Sequence, residues 1–281
     1  MKILIVLFRY YNYFPRLRTI WNALPSNFIY QYKQKFIVGG NWKMNGSKKT
    51  VRRLFKILEK GPINNNTHVF VSVPTIYLAY SKSFCPKNVQ LAAQNCYKAK
   101  KGAFTGETSP AMLKEIGVEW VILGHSDRRQ IFKESNELVA EKVFFAKKFN
   151  LKVVACVGEN QSEQAAKKTY DVIFKQTKAI SEKLCGDWTN VVLAYEPVWA
   201  IRTGKTVTPE QVEEIHCALK EWICLNVCPE VGDCVKILYG GLVTGKNCKK
   251  LARQPNVDGF LVGEASLKKE FIKIINAKPQ F

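Results

Sequence analysis

Short apolar segments, each about the length of a β-strand, recur eight times along the chain and alternate with stretches that have helical periodicity. Most of these segments are nearly continuous hydrophobic runs, which is typical of parallel strands covered on both faces. The pattern predicts strands at residues 36–42, 68–73, 89–93, 120–124, 151–157, 191–195, 235–239 and 259–262. Strand–helix alternation repeated eight times over about 245 residues favours an α/β fold with a single closed (β/α)8 barrel.

Two of the intervening helices carry clear start signals. Thr208 supplies an N-cap hydroxyl, Pro209 follows at the first helical position, and Gln211 completes a capping box. Ser109 and Pro110 open another helix in the same way. These signals are structural, and we attach no function to them.

Residues 1–35 differ from the rest of the chain. They contain six basic residues, no acidic residue, many aromatic residues and no clear helical period. An acid-free, Arg-bearing leader of this kind is compatible with an organelle transit peptide. A disordered tail and an untranslated stretch included in the sequence by mistake are equally open alternatives. We therefore divide the chain into an N-terminal extension at 1–35 and a barrel domain at 36–281.

The charge balance is strongly basic. Lys and Arg number 43 against 23 Asp and Glu, which gives a formal net charge of +20. Such a charge attracts phosphates, on small metabolites or on nucleic acid or lipid. The basic residues look scattered rather than striped, and no nucleic-acid-binding motif is present. With no apolar run of about 18 residues either, we predict no nucleic-acid partner and no membrane partner.

The nine cysteines favour a reduced, intracellular protein. Their number is odd, no Cys-x-x-Cys motif occurs, and Cys156 lies inside a predicted strand. Cys224 and Cys228 are one helical turn apart, but with only three histidines in the chain a zinc site is not expected. We predict no metal.

Polar residues that end the predicted strands are the candidates for chemistry, because active sites of such barrels form at the carboxyl ends of the strands. Lys43 ends the first strand, where its ammonium suits a phosphate or a carbonyl oxygen, although most lysines simply reach solvent. His125 ends the fourth strand just before a helix, whose dipole disfavours a charged imidazole. A neutral imidazole can donate a hydrogen bond to a carbonyl oxygen.

Glu196 ends the sixth strand and is the candidate general base, since proton abstraction beside a carbonyl requires a carboxylate in a dry pocket. The residues that follow it, 197–205, suggest a stiff hinge and a mobile lid. Glycines after the seventh and eighth strands, at 240, 241 and 263, have unhindered amides that can cradle a phosphate. Together these groups describe an aldose–ketose isomerase for a small phosphate ester.

Residues 36–276 resemble triosephosphate isomerases throughout. The resemblance is carried by GGNWKMNG at 39–46, GE at 106–107, GHS at 124–126, AYEPVWAI at 194–201 and YGG at 239–241. It implies interconversion of glyceraldehyde 3-phosphate and dihydroxyacetone phosphate, in cytoplasmic glycolysis and gluconeogenesis, with no cofactor. It further implies that Glu196 is the base, that His125 is the electrophile, and that Lys43 and Asn41 bind the substrate; this enzyme is a standard illustration of that pair of roles.

The resemblance also implies a homodimer. The loop at residues 95–108 would project into a neighbouring subunit, with Thr105 near the tip close to that subunit's Asn41 and Lys43.

Four positions depart from the family pattern. Asp127 stands in place of a glutamate, Arg202 and Glu264 in place of glycines, and Leu242 in place of a serine. The last three fall on the phosphate-binding end of the site. Because Glu264 adds a negative charge there and Arg202 a positive one, we hypothesise that the two compensate, unless both side chains point to solvent.

These departures leave two functions open. One is an active isomerase with weakened turnover. The alternative is a catalytically impaired relative that acts by binding, for example by pairing with an active isomerase subunit.

Overall fold

Eight parallel strands pair in sequence order and close into a barrel, with the eighth strand against the first. The computed structural model describes residues 35–203 and 207–278, and the side chains of Arg202 and Thr203 fall outside the description. The strands are β1 (Phe36–Asn41), β2 (Thr67–Val73), β3 (Val89–Ala93), β4 (Trp120–Leu123), β5 (Lys152–Val157), β6 (Val191–Tyr195), β7 (Ile237–Tyr239) and β8 (Gly259–Val262).

Twelve α-helices and two 3-10 turns connect or follow these strands in the described ranges. The helices are α1 (Lys48–Lys60), α2 (Leu78–Lys82), α3 (Pro110–Glu115), α4 (Ser126–Gln130), α5 (Asn136–Lys148), α6 (Gln161–Ala165), α7 (Thr169–Leu184), α8 (Val198–Thr203), α9 (Pro209–Asn226), α10 (Pro229–Cys234), α11 (Cys248–Ala252) and α12 (Phe271–Ile275). The 3-10 turns are Thr75–Tyr77 and Glu264–Leu267. The predicted (β/α)8 architecture is confirmed.

The predicted helix starts also hold. The Thr208 side chain accepts a hydrogen bond from the amide of Gln211, which closes the capping box in return, and Pro209 is the first residue of α9. The Ser109 side chain caps α3 in the same way, with Pro110 at its first position. Local hydrogen bonding is sufficient to set these two helix ends, which is why they are visible in the sequence.

Strand bounds differ from the prediction by one or two residues. The prediction for the seventh strand begins at Val235, but Val235 is the C-cap residue of α10, and the strand starts at Ile237. The prediction for the fourth strand includes Gly124, which has a φ of 68° and turns the chain out of the sheet. Both differences lie at strand ends, where the apolar segment of the sequence extends beyond the residues that pair with neighbouring strands.

Alternation along the strands separates two apolar layers. One set of side chains, including Ile37, Phe70 and Trp120, fills the barrel interior, where the rings of Phe70 and Trp120 stack with centroids 4.8 Å apart. The other set packs between the barrel and the surrounding helices. Gly39 faces inward, and a Cβ there would lie 2.1 Å from the Phe70 ring, so only glycine leaves room for that ring.

The nine cysteines, all within the described ranges, have free thiols. None of the described helices is long and apolar enough to cross a bilayer. The expectations for residues 1–34 concern a part of the chain that lies outside the described residues.

Candidate active site

Side chains from β1, β4 and β6 meet at the carboxyl ends of the strands in one chain of polar contacts. The Lys43 ammonium lies 3.0 Å from Oδ2 of Asp127, and that oxygen lies 3.4 Å from Nδ1 of His125. On the other side of the ring, Nε2 of His125 lies 3.0 Å from Oε1 of Glu196. The three residues that the sequence singled out are therefore brought together at one mouth.

Lys43 is held in an unusual backbone conformation, with a φ of 50°. Non-glycine residues rarely adopt this region, and such strain persists only where neighbours enforce it. The Lys43 amide donates to Oδ1 of Asn41 at 3.0 Å, and Nε2 of Gln94 donates to the Lys43 carbonyl at 2.8 Å. Oδ1 of Asn41 also accepts from the hydroxyl of Ser72 at 3.2 Å. Asn41 and Gln94 thus fix the start of the lysine side chain.

His125 is the N-cap residue of α4, and its ring completes the cap. Nδ1 accepts a hydrogen bond from the amide of Asp127 at 3.1 Å. A ring nitrogen that accepts cannot carry a proton, so this contact places the proton of the neutral ring on Nε2. The N–H at Nε2 then faces Glu196 and the mouth of the barrel.

Glu196 is almost fully buried, with 2% of its surface exposed. Its Oε2 accepts a hydrogen bond from the amide of Ser126 at 2.8 Å, while Oε1 faces His125. A Cβ on Gly240 would lie 2.8 Å from Cγ of Glu196, and a Cβ on Gly158 would lie 1.8 Å from its carbonyl oxygen. Two glycines are therefore required for the carboxylate to occupy this dry position.

The segment that follows Glu196 is anchored on a second buried acid. Nε1 of Trp199 and the hydroxyl of Tyr195 donate to Oε1 of Glu159 at 2.8 and 3.1 Å. The Val198 amide donates to the Glu159 carbonyl at 3.1 Å. Burial raises the pKa of Glu159, and the hydrogen bonds from Trp199 and Tyr195 act in the opposite direction. The predicted hinge is thus the start of helix α8, and residues 204–206 of the predicted lid lie outside the described residues.

The phosphate-binding end predicted from the glycines lies beside Lys43, since a Cβ on Gly263 would be 3.9 Å from its Cε. Glu264, the first residue of a 3-10 turn, directs its carboxylate to solvent, and its side chain is 81% exposed. There it lies 2.7 Å from Nζ of Lys268, which lowers its pKa. Leu242 is also exposed at this end. Of the two alternatives for Glu264, solvent exposure is the one observed.

The loop at residues 95–108 extends from the barrel, and Thr105 at its tip is exposed. The base of this loop is tied down, because Nζ of Lys142 donates to Oδ1 of Asn95 at 3.2 Å. The same ammonium lies 2.6 Å from Oε1 of Glu134, in a pair that is almost completely buried. Arg128, in the helix that follows His125, also binds Glu134.

Sequence reasoning missed several of these supporting residues. Gln94, Glu134 and Lys142 have no local signal, because each acts on a residue distant in the chain. Arg129 carried a weak signal, as one of two arginines beside His125. Its guanidinium donates to the carbonyls of Gly124 at 2.8 Å and Cys156 at 3.1 Å, which holds the end of β4 against β5.

A cavity of about 370 Å³ opens beside Lys43 and His125 and is lined in part by the exposed apolar residues Met44 and Phe132. The family model for triosephosphate isomerase matches residues 36–278, which is most of the chain. This chain belongs to the triosephosphate isomerase family. The match covers every candidate active-site residue, and it makes the chain an isomerase that acts on phosphorylated trioses.

Asp127, whose side chain is one methylene shorter than the glutamate of the triosephosphate isomerase pattern, reaches Nζ of Lys43 directly at 3.0 Å. Leu242 and Glu264 belong to the predicted phosphate-binding end, and both side chains are exposed. Arg202 lies on α8, and its side chain falls outside the described residues.

Proposed function

We propose that the protein interconverts glyceraldehyde 3-phosphate and dihydroxyacetone phosphate, with Glu196 as the base and His125 as the electrophile. The observation that carries the proposal is the contact between Nε2 of His125 and Oε1 of Glu196, at 3.0 Å in a pocket where both side chains are buried. A proton acceptor and a hydrogen-bond donor are thus held side by side, away from water, which is the arrangement that enolisation beside a carbonyl requires.

In the proposed reaction, Glu196 takes the proton from the carbon next to the carbonyl. The carbonyl oxygen, polarised by the N–H of His125 and by the Lys43 ammonium, gains the electron pair, and an enediolate forms. His125 moves a proton between the two oxygens, and Glu196 returns its proton to the neighbouring carbon. To admit the substrate, the carbonyl oxygen has to replace the Glu196 carboxylate at Nε2. Asn41 positions Lys43 and, on this proposal, contacts the substrate.

The phosphate of the substrate is proposed to bind beside Lys43 and Gly263, near the three separate segments that carry Leu242, Glu264 and Arg202. A leucine offers no hydroxyl to the phosphate, and an exposed glutamate opposes it weakly. These changes are expected to raise KM more than they lower kcat, since they lie away from the reacting carbons.

We further propose that the protein works as a homodimer in cytoplasmic glycolysis and gluconeogenesis. Support for the dimer comes from the cavity beside Lys43, which is open and partly apolar in the single chain. Thr105 of the partner subunit would enter this cavity and lie near Asn41 and Lys43. The partner's loop would thereby exclude water from the site.

The test is a steady-state assay of the purified chain on glyceraldehyde 3-phosphate, comparing the wild type with Glu196→Gln. The substitution keeps the shape of the side chain but removes the proton acceptor, so kcat should fall by at least about a hundredfold. Glu115→Gln, an exposed position on α3, is the matched control and should retain full activity. A Glu196→Gln enzyme with nearly normal turnover would show that Glu196 is not the base.

The second candidate function is favoured by Leu242, which is exposed at the phosphate-binding end where a hydrogen-bonding side chain is expected. A wild-type chain with no measurable turnover, but which forms a stable complex with an active isomerase subunit, would support the impaired, binding-only relative.

A further inference from the structure

The basic residues of helix α1 are not scattered, as they look in the sequence, but form one exposed face. Val51, Leu54, Phe55 and Leu58 are buried against the barrel and define the inner side of the helix. The exposed side carries a single acid, Glu59. All the cations of the helix are exposed with it: Lys48, Lys49, Arg52, Arg53, Lys56 and Lys60.

This basic face is linear. With a rise of about 1.5 Å per residue, Lys48 and Lys60 lie about 18 Å apart along the helix axis. Positions four residues apart stack on the same side of a helix, so Lys48, Arg52, Lys56 and Lys60 form a slowly drifting row. Within the described residues, no salt bridge joins any of the six cations to an acid. Their charge is therefore available to an external partner.

Just beyond the end of α1 the chain borders a basic cleft. Pro62 and Asn64, just after the helix, line a cavity of about 560 Å³ together with Lys249, Arg253 and Lys278. None of the described residues that line this cavity is acidic. Burial lowers the pKa of Lys278, which means that its ammonium is partly desolvated and would gain from an anion. We call the basic face of α1 and this cleft together the α1 track.

Aromatic rings flank the first half of the α1 track. The Arg52 guanidinium lies over the rings of Phe84 and Tyr80, with 4.7 and 5.6 Å to the ring centroids, and Lys48 lies over Tyr80 at 5.5 Å. The two rings are 5.0 Å apart, and Phe84 is 37% exposed. A groove of positive charge with aromatic rings beside it is the combination by which proteins bind single-stranded nucleic acid.

We infer that the α1 track is a binding surface for single-stranded RNA. A row of cations matches a linear polyanion, and the rings offer a stacking surface that only a base-bearing polyanion uses. A membrane fits less well, because the apolar side of α1 is already buried in the barrel and cannot insert into a bilayer.

The test measures binding of a 20-nucleotide oligo(U) RNA by fluorescence anisotropy across a series of salt concentrations. For single strands the logarithm of affinity falls with the logarithm of salt by about 0.7 for each phosphate contacted. The variant Arg52→Gln/Arg53→Gln/Lys56→Gln/Lys60→Gln should lower this slope by about 3, and it should weaken binding more than tenfold at moderate salt. All four positions are exposed, so melting temperature and isomerase turnover should be unchanged.

A matched control removes the same charge elsewhere. Lys148→Gln/Lys168→Gln/Lys175→Gln/Lys183→Gln changes four exposed lysines on α5, before α7 and on α7. It should leave the salt slope nearly at the wild-type value. Equal losses in the two quadruple variants would overturn the inference, because net charge alone would then explain the data. A wild type that does not bind RNA would overturn it as well.

Two further measurements distinguish RNA from a polyanion without bases and from a membrane surface. Inorganic polyphosphate of equal charge, which has no bases, should displace the RNA at least tenfold less effectively than unlabelled oligo(U) does. Equal displacement would overturn the assignment to RNA in favour of any polyanion. Vesicles with anionic lipid should bind more weakly than RNA, and tighter binding to vesicles than to RNA would assign the track to a membrane surface instead.

Discussion

At the scale of single residues, a functional side chain can be predicted from the sequence when a local pattern marks its position. It cannot be predicted when its role depends on a contact with a residue distant in the chain. Lys43, His125 and Glu196 are identifiable because each ends an apolar strand, and the ends of parallel strands meet. The positive φ of Lys43 and the role of Gln94 in holding its carbonyl are not visible in the same way. They depend on a contact between β1 and the loop after β3, which no local pattern encodes.

Glu264 shows how a charge change that looks severe in the sequence becomes mild in three dimensions. Its carboxylate is exposed and is paired with Lys268 one turn along. Glu264→Gln should therefore tighten the binding of a phosphate-bearing inhibitor by less than about tenfold, because solvent screens exposed charges. Lys268→Gln should weaken that binding, since it leaves the carboxylate uncompensated.

Inhibitor affinities for the two single variants and the double variant, at low and high salt, check this prediction. The differences should shrink as salt is added. A tightening of a hundredfold or more in Glu264→Gln would mean that the carboxylate turns towards the bound phosphate. The separate hypothesis that Arg202 compensates Glu264 remains a prediction, and a cycle with Arg202→Gly tests it.

At the scale of elements, all eight strands are predictable to within two residues because strand–helix alternation and continuous burial leave one consistent pairing order. The basic face of α1 is not predicted, although each of its lysines and arginines can be read directly in the sequence. Its cations are interrupted in sequence by the buried positions 51, 54, 55 and 58, so they look scattered until helical geometry is applied. Periodicity applied to charge, and not only to apolar residues, could have found it.

The hydrogen bond from Nε1 of Trp199 to Oε1 of Glu159 ties the start of helix α8 to the barrel. Trp199→Phe keeps an aromatic ring at this position but removes the indole N–H. The buried Glu159 carboxylate is then left with one hydrogen-bond donor fewer. We expect the free energy of unfolding to fall by about 1–3 kcal/mol. Urea unfolding measures this, with Trp222→Phe as the matched control.

The Trp222 ring stacks on Phe174 and is only partly buried, so its replacement by phenylalanine should cost less than the change at Trp199. Equal losses in the two variants would indicate that the size of the ring, and not the hydrogen bond to Glu159, accounts for the effect.

At the scale of the whole molecule, a buried histidine outside the proposed catalytic residues makes stability depend on pH. His216 is fully buried, and its Nδ1 lies 2.9 Å from the Asn256 carbonyl oxygen, while Nε2 has no hydrogen-bond partner among the described residues. Burial lowers the pKa of His216 to about 4 from the ordinary value of 6.5. Between these values the unfolded chain binds a proton that the folded chain does not, so stability falls as the pH drops through this window.

The loss from His216 should reach up to about 3 kcal/mol on going from pH 7 to pH 4, at about 1.4 kcal/mol per pKa unit. Urea unfolding of the wild type and of His216→Phe at both pH values checks this. The fall in His216→Phe should be smaller by roughly that amount, with the contribution of other groups common to both proteins. Identical pH slopes in the two proteins would contradict the assignment to His216.

The proposed homodimer is supported by apolar side chains that the single chain leaves exposed. Met44 is 95% exposed and Ile76 is 80% exposed. Tyr77, next to Ile76, lies near Gly46, which is two residues after Met44. Met44 and Thr75, the residue before Ile76, line the cavity that Thr105 of the partner subunit would enter. A charge at Ile76 costs an isolated chain almost nothing, but in a dimer it is buried and unpaired.

Ile76→Glu should therefore raise the dimer dissociation constant by at least about a hundredfold, or about 2.7 kcal/mol. Sedimentation velocity measures the dissociation, and turnover per chain should fall in parallel as the protein is diluted, because the partner's loop leaves the site. Leu225→Glu is the matched control, since Leu225 is 75% exposed on α9. It should leave both mass and turnover unchanged. A monomeric wild type with full turnover would show instead that the cavity beside Lys43 functions without a second subunit.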